Sequence, residues 1–329
     1  MKLIAKIFAS WKVLGGLYIG WGIGANDSAN IFGTAVATNS VRYRTATILI
    51  AVFAILGSIL EGPKLYDNVH FQSAEATTSE SMALAATFAS GTAVLVVTIL
   101  GIPASTSQAA IGGLMGIAIF SSGFSAVDWN KFGKMVVCWV ATPIGGAVIG
   151  YLLYGFGDRL FRRLVKNPEK RNTIIRWLLI LSGSYGAYSL GANNVVVTTV
   201  AYYDAGIFGA PGVYRTALIA ASIGGAAIAL GALTYSYKVM ETVGKKITVL
   251  DPLAALLAVF AHSLTLEFFT GLHVPVSSSQ AIVGGVIGVG LVKGMAAVSG
   301  RQLVRIFLGW LATPLSSAVI AYVLAQLFC

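Results

Sequence analysis

Long apolar runs alternate with short polar interruptions along this chain, and the lengths of the runs predict membrane-spanning helices. A helix needs about 20 apolar residues to cross a bilayer. Runs of that order lie at about 4–38, 45–60, 81–121, 135–155, 177–203, 216–237, 252–292 and 306–328. The first is interrupted near its middle by Gly22, Gly24, Asn26, Asn30 and Gly33, which predicts a helix unwound at that point. The runs at 81–121 and 252–292 are too long for one helix. Each holds a proline in a polar cluster at its centre, Pro103 and Pro275, which predicts a hairpin of two helices.

The pattern also repeats. Tyr43-Arg44-Thr45-Ala46 recurs as Tyr214-Arg215-Thr216-Ala217, and Trp139-Val140-Ala141-Thr142-Pro143 as Trp310-Leu311-Ala312-Thr313-Pro314. Pro103-Ala104-Ser105-Thr106-Ser107-Gln108 recurs as Pro275-Val276-Ser277-Ser278-Ser279-Gln280, each followed by a Gly-Gly pair. Gly24-Ala25-Asn26-Asp27 recurs as Gly191-Ala192-Asn193-Asn194. In chain order the offsets are 167, 171, 172 and 171. Such order and spacing mark an internal duplication, which points to a transporter. The expected fold is an all-α polytopic membrane protein of two inverted-topology repeats, 1–157 and 177–329, joined by a basic cytoplasmic linker at 158–176. Each repeat is expected to have a broken first helix and a helical hairpin with a Pro-x-Ser-x-Ser/Thr tip.

Composition agrees with a membrane setting. Hydrophobic residues make up 57% of the chain and charged residues 10%, with a mean hydropathy of +0.81. A soluble domain is about 25% charged. The net charge of +10 is a topology signal rather than a nucleic-acid surface. Of the 22 Lys and Arg residues, 15 fall in loops at 39–45, 156–176, 238–251 and 293–305, which lie on one side when crossings are counted. That side is expected to be cytoplasmic and both termini extracytoplasmic, in a multi-pass protein of the inner membrane. The first apolar run has no small-residue cleavage pattern and is read as part of the mature protein. Cys138 and Cys329 are too far apart in sequence, and too lacking in paired His or Cys, to predict a disulfide framework or a zinc site.

Few polar groups are left at bilayer depth. Only Asp27 and Glu267 among the acidic residues fall within apolar runs. A charge there costs roughly 2.5–3.5 kcal/mol on insertion scales, so each is a functional candidate. Asp27 has support from its surroundings, Asn26, Ser28 and Asn30, whereas Glu267 fits an interfacial or interhelical position equally well. At the tips, Ser105, Thr106 and Ser107, and Ser277, Ser278 and Ser279, follow a proline and open a new helix. A helix N-terminus ringed by hydroxyls can hold a tetrahedral oxyanion. No Lys or Arg is available to neutralise such an anion beside Asp27. Cations must therefore enter with it, held by Asp27, Asn26, Asn30, Asn193, Asn194, Gln108, Gln280 and unwound backbone carbonyls.

These residues carry a resemblance. Gly24-Ala25-Asn26-Asp27 with Ala29-Asn30 and Gly33-Thr34, the second-half Gly191-Ala192-Asn193-Asn194 and the paired tips resemble the inorganic phosphate transporter (PiT) family over essentially the whole chain. The resemblance implies an inverted-repeat fold, inorganic phosphate as substrate and sodium or proton coupling, with no cofactor. It implies ion binding around Asp27, Asn30, Asn194, Gln108 and Gln280, and phosphate contact at the hydroxyls of both tips. Many relatives have Asp where this chain has Asn194, which bears on ion stoichiometry. The compact 156–176 segment is similar to prokaryotic members.

The expected activity is thus sodium-coupled phosphate symport, with sulfate transport or proton coupling as alternatives and a homodimer as an open oligomeric state. Sulfate lacks a proton to donate at neutral pH, whereas hydrogen phosphate can donate to an acceptor such as Asp27. A channel would line its pore with basic rings. An enzyme would need paired catalytic groups, and His262 and His273 are isolated in the sequence.

Overall fold

A computed structural model describes residues 11–66, 80–271 and 277–328. His273 and Pro275 of the second tip, Asp67 and Glu75 of the acidic loop, and Cys329 lie outside the described residues. The chain is helical nearly throughout. After a short 3-10 turn come α1 (Leu14–Ala37), α2 (Tyr43–Leu60), α3 (Glu80–Ile99), α4 (Thr106–Ser122), α5 (Trp129–Leu164) and α6 (Pro168–Asp204). Then follow α7 (Tyr214–Tyr235), the short α8 (Tyr237–Glu241) leading into a π turn, α9 (Pro252–Gly271), α10 (Ser278–Val292) and α11 (Gly300–Phe328). Among the described residues, β pairing is limited to one bridge between Thr248 and Val298.

Six of these helices are long and apolar enough to cross a membrane: α2, α3, α5, α7, α9 and α11. In α5 and α11, Val137, Ile144, Val148, Phe307, Leu311 and Leu315 face outward, as lipid-facing side chains do in a medium that does not penalise exposed apolar surface. The second arms of the hairpins are shorter. At 1.5 Å per residue, the 17 residues of α4 and the 15 of α10 extend about 25 and 23 Å, less than the roughly 30 Å hydrocarbon core. The first residues of both α4 and α10 lie inside the protein, against the middle of α1.

The sequence repeat returns as a repeat of contacts. A Cβ on Gly112 of α4 would overlap the carbonyl oxygen of Pro314 in α11, and one on Gly284 of α10 would overlap that of Pro143 in α5. Gly116 meets Ala318 and Gly288 meets Ala147 in the same way. Each second hairpin arm thus packs backbone to backbone on the last helix of the other half, an approach that only glycine permits. Pro143 and Pro314 lie inside α5 and α11, and the hydroxyls of the preceding Thr142 and Thr313 bond back to the Cys138 and Gly309 carbonyls one turn earlier.

One expectation is corrected. The first helix of each half is unbroken: α1 runs through 24–30 and α6 through 191–194 without unwinding. Glycine there serves close packing, not flexibility. Gly24 lies against the Ile228 carbonyl of α7, and Gly191 against the Ala54 carbonyl of α2. The segment 158–176 is mostly helix, since α5 reaches Leu164 and α6 begins at Pro168. Asn167 caps α6 by accepting from the N–H groups of Glu169 at 2.9 Å and Lys170 at 3.2 Å, with Pro168 in the first turn.

Candidate functional site

The site forms where the two tips meet the middle of α1. Asp27 is buried there and accepts from the Thr106 hydroxyl at 2.8 Å, the Asn30 amide at 3.2 Å and the Ser279 hydroxyl at 3.4 Å. One carboxylate therefore binds both tips. Ser279 also lies within bonding reach of the Ala104 carbonyl, so the second tip touches the first directly. Asn30 donates to Ser279 as well, at 3.0 Å.

The first tip, 102–105, is tied down residue by residue. Asn26 donates to the Ile102 carbonyl at 3.1 Å and to Thr98 at 2.8 Å, and accepts from the Ala104 N–H at 2.8 Å. Trp310 donates to the Pro103 carbonyl at 2.8 Å. Asn26, expected among the cation ligands, is therefore a staple for this loop with its amide committed. Ser105 and Ser277 occupy matching N-cap positions, accepting from the N–H groups of Gln108 and Gln280 at 3.3 Å each. Ser107 approaches Ser105 at 3.2 Å, and Ser278 bonds His262 at 2.9 Å. The expected phosphate residues are thus all at the tips, but Thr106 and Ser279 direct their hydroxyls to Asp27. Ser105, Ser107, Ser277 and Ser278 remain for an anion, with the first N–H groups of α4 and α10, which have no partner inside their helices.

Three buried oxygens at this place accept no hydrogen bond: Asn30 Oδ1, Gln108 Oε1 and Gln280 Oε1. Such an oxygen costs about 1–3 kcal/mol. The Asn30 amide orientation is set by its donations to Asp27 and Ser279, which leaves its buried oxygen without a donor. Neutral amide oxygens on the residues next to a buried carboxylate are donors of the kind a small hard cation takes. No Lys or Arg whose side chain is described is buried. Among the described residues, no three of His, Cys, Asp and Glu cluster as a transition-metal site would require.

Asn193 and Asn194 do not join the cluster. Asn193 is exposed and donates to Ser189 at 3.1 Å, and Asn194 donates to the Leu190 carbonyl at 3.2 Å, both within α6. Packing register accounts for this. Gly231 of α7 lies against Trp21 of α1, whereas Gly57 of α2 lies against Tyr188 of α6. In the duplication Gly57 corresponds to Ile228, which faces Gly24, yet Gly191 faces Ala54. The second pair is displaced by about one turn. Glu267 lies on the exposed side of α9. His262 is the site neighbour that sequence spacing did not single out, because only the packing of α9 on α10 brings it to Ser278.

Comparison with known proteins bears on the same residues. The sequence profile described as the phosphate transporter family matches residues 23–321. The chain is 30% identical to a protein of Methanocaldococcus jannaschii over 98% of each chain, and 28% identical to one of Pyrococcus furiosus over 94% of this chain and 93% of that one. Each is provisionally named a phosphate permease. A solved structure titled "The sodium-dependent phosphate transporter" superposes with a TM-score of 0.75 at 24% identity, covering 99% of this chain and all of that one. At that identity the likeness is one of fold.

Proposed function

Because the chain belongs to the phosphate transporter family, we propose that it is a cation-coupled symporter of inorganic phosphate, driven by sodium and working by alternating access across the cytoplasmic membrane. The observation that carries the reading is Asp27 bonded to the first residues of both tip helices, together with unpartnered amide oxygens on Asn30 of its own helix and on Gln108 and Gln280 of those tip helices. Sodium has the hardness for such oxygens, and its charge offsets Asp27. The anion then lies against the tips, on Ser105, Ser107, Ser277, Ser278 and the adjacent N–H groups. Neither charge is tolerable alone. Burying an uncompensated ion costs several kcal/mol after relaxation, and helix dipoles of about half a charge do not cancel a dianion. Filling the cation site thus creates affinity for the anion, which is the physical basis of coupling.

The matched contacts of α4 with α11 and α10 with α5 support two inverted halves, 1–157 and 177–329. The two tips then approach from opposite faces and meet at Asp27, so that movement of one half against the other exposes the site to either side. The distribution of basic residues supports cytoplasmic placement of the α5–α6 connection and extracytoplasmic termini.

The test is uptake of labelled phosphate into proteoliposomes, with sodium and pH gradients imposed separately and sulfate present as competitor. Uptake should follow the sodium gradient and resist sulfate. Uptake driven by the pH gradient alone would replace sodium with protons. Phosphate-blocking competition by equimolar sulfate would enlarge the substrate class.

A further inference from the structure

The two tips have different partners. Thr106 and Ser278 are counterparts in the duplication, and Thr106 donates to Asp27, whereas Ser278 bonds Nε2 of His262 at 2.9 Å. His262 is buried on α9. Its own counterpart, Ser90, bonds the carbonyls of Ala86 and Ala109 instead. The imidazole is therefore peculiar to the second tip. We infer that His262 is a positioning residue for Ser278 and takes up a proton when an oxyanion binds at the tips, an inference that rests on the transport reading above.

The argument is one of hydrogen-bond polarity. A serine hydroxyl has a single proton to give. In the empty site that proton can go to a neutral Nε2. An arriving oxyanion accepts it, and Oγ then presents only lone pairs toward the imidazole. The Ser278–His262 bond survives if Nε2 now carries hydrogen. With Nδ1 already bearing the ring proton, a second proton passes from the buffer acid to the Nε2 lone pair, imidazole becomes imidazolium, and the buffer is left as its conjugate base. The negative charge of the bound anion stabilises an imidazolium beside it.

Other ionisable groups nearby are few. α10, packed on α9, carries none. α1 brings Asp27, separated from His262 by the tip serines. α5 lies with Gly145 against Phe269 and Gly157 against Leu257, so Tyr151 and Tyr154 run past this level, and Tyr154 donates to Asp251. α5 and α6 hold their charged residues near their ends, and Tyr188 of α6 donates to Glu61. Glu267, on α9 itself, is exposed. Asp27 and the bound anion are thus the charges that His262 answers to.

The experiment is calorimetric titration of the purified full-length protein with inorganic phosphate in sodium buffers that differ in ionisation enthalpy, where the slope of heat against buffer enthalpy counts protons. Phosphate's own ionisation is common to all variants and cancels. Wild type should take up about one proton more than H262Q, whose amide can donate to Ser278 but cannot ionise. H262Q should bind within about threefold of wild type and H262A about tenfold more weakly, the ratio that one lost hydrogen bond sets. Equal proton counts in wild type and H262Q would overturn the uptake, and wild-type affinity in H262A would overturn the positioning. If the wild-type protein binds no phosphate, the transport reading fails and takes this inference with it; binding with equal counts sinks the inference alone.

Discussion

Replacing Gln108 by methionine separates a cation ligand from a packing residue. Gln108 and Gln280 are buried at 1% and 2% exposure, and no side-chain hydrogen bond holds either. The substitution keeps length and volume while removing an unpartnered oxygen. Without sodium, relief of that oxygen should stabilise the protein by about 1–3 kcal/mol. For a chain larger than 250 residues, about 2 °C per kcal/mol is expected, so the melting temperature rises by about 2–6 °C. With sodium the gap closes. Wild type at a hundred times its dissociation constant gains about 2.7 kcal/mol by linkage, or roughly 5 °C, and the variant gains little. Intrinsic tryptophan fluorescence melts in choline and in sodium buffer read both effects, and Gln280→Met should behave alike. A variant that melts lower in choline and keeps the full sodium shift would show that Gln108 is held by packing, and the cation site would have to be sought elsewhere.

Four further outcomes follow from named contacts. Asp27→Asn should insert normally but lose sodium-driven phosphate uptake by at least about 100-fold, since it removes the buried charge that sodium offsets; retained uptake with unchanged sodium dependence would refute the coupling role. The double variant Ser105→Ala, Ser277→Ala removes two caps worth about 1 kcal/mol each and should weaken phosphate binding by about tenfold or more in titration calorimetry, whereas unaltered affinity would move the anion from the tips. Gly112→Ala and Gly284→Ala each push a methyl into a backbone carbonyl and should cost about 1–3 kcal/mol in thermal melts, and neutrality of both would contradict the matched packing. For Asp251, burial raises the carboxyl, but bonds from the Ala254 N–H, Lys293 and Tyr154 outweigh it and hold the group below the usual carboxylate range. The stability it lends is full above the unfolded value of about 3.9 and fades as pH falls through the lower folded value. Melts of wild type and Asp251→Asn should therefore differ at neutral pH and converge below about pH 4.

What the sequence conveyed, and what it did not, follows from the scale of each interaction. The duplication was legible because Pro-x-Ser-x-Ser and Trp-x-Ala-Thr-Pro are local chemistry, and local chemistry that recurs leaves an identical string. Those strings are where the two halves make the same contacts, Gly112 on Pro314 and Gly284 on Pro143. Asp27 was legible for a related reason: a carboxylate in an apolar run has no cheap alternative to a partner, and it finds both tips. Glycine and asparagine at 24–30 misled, because the same residues that allow a helix to unwind also allow another backbone to approach it. Which use prevails depends on α7, which is 200 residues away in sequence and sets Ile228 against Gly24.

The second-half asparagines are the instructive case. The offset of 167 at Gly191 departs from the 171–172 of the other three matches by about one helical turn. A turn is the distance by which Gly191 misses its expected seat on α2. Identity of the string did not make Asn194 the counterpart of Asp27 in space; register did the deciding, and register was visible as an irregular spacing. Asn193 and Asn194 accordingly bond within their own helix. The formal symmetry of the chain thus ends at its charged centre. One carboxylate from the first half reaches both tips, and the only other ionisable group bonded to a tip hydroxyl among the described residues is His262, contributed by the second. On the proposed transport reading, the anion would lie against two equivalent helix ends while the charges come from inequivalent groups, so single substitutions at Asp27 or His262 should change coupling or anion recognition without disturbing the shared frame.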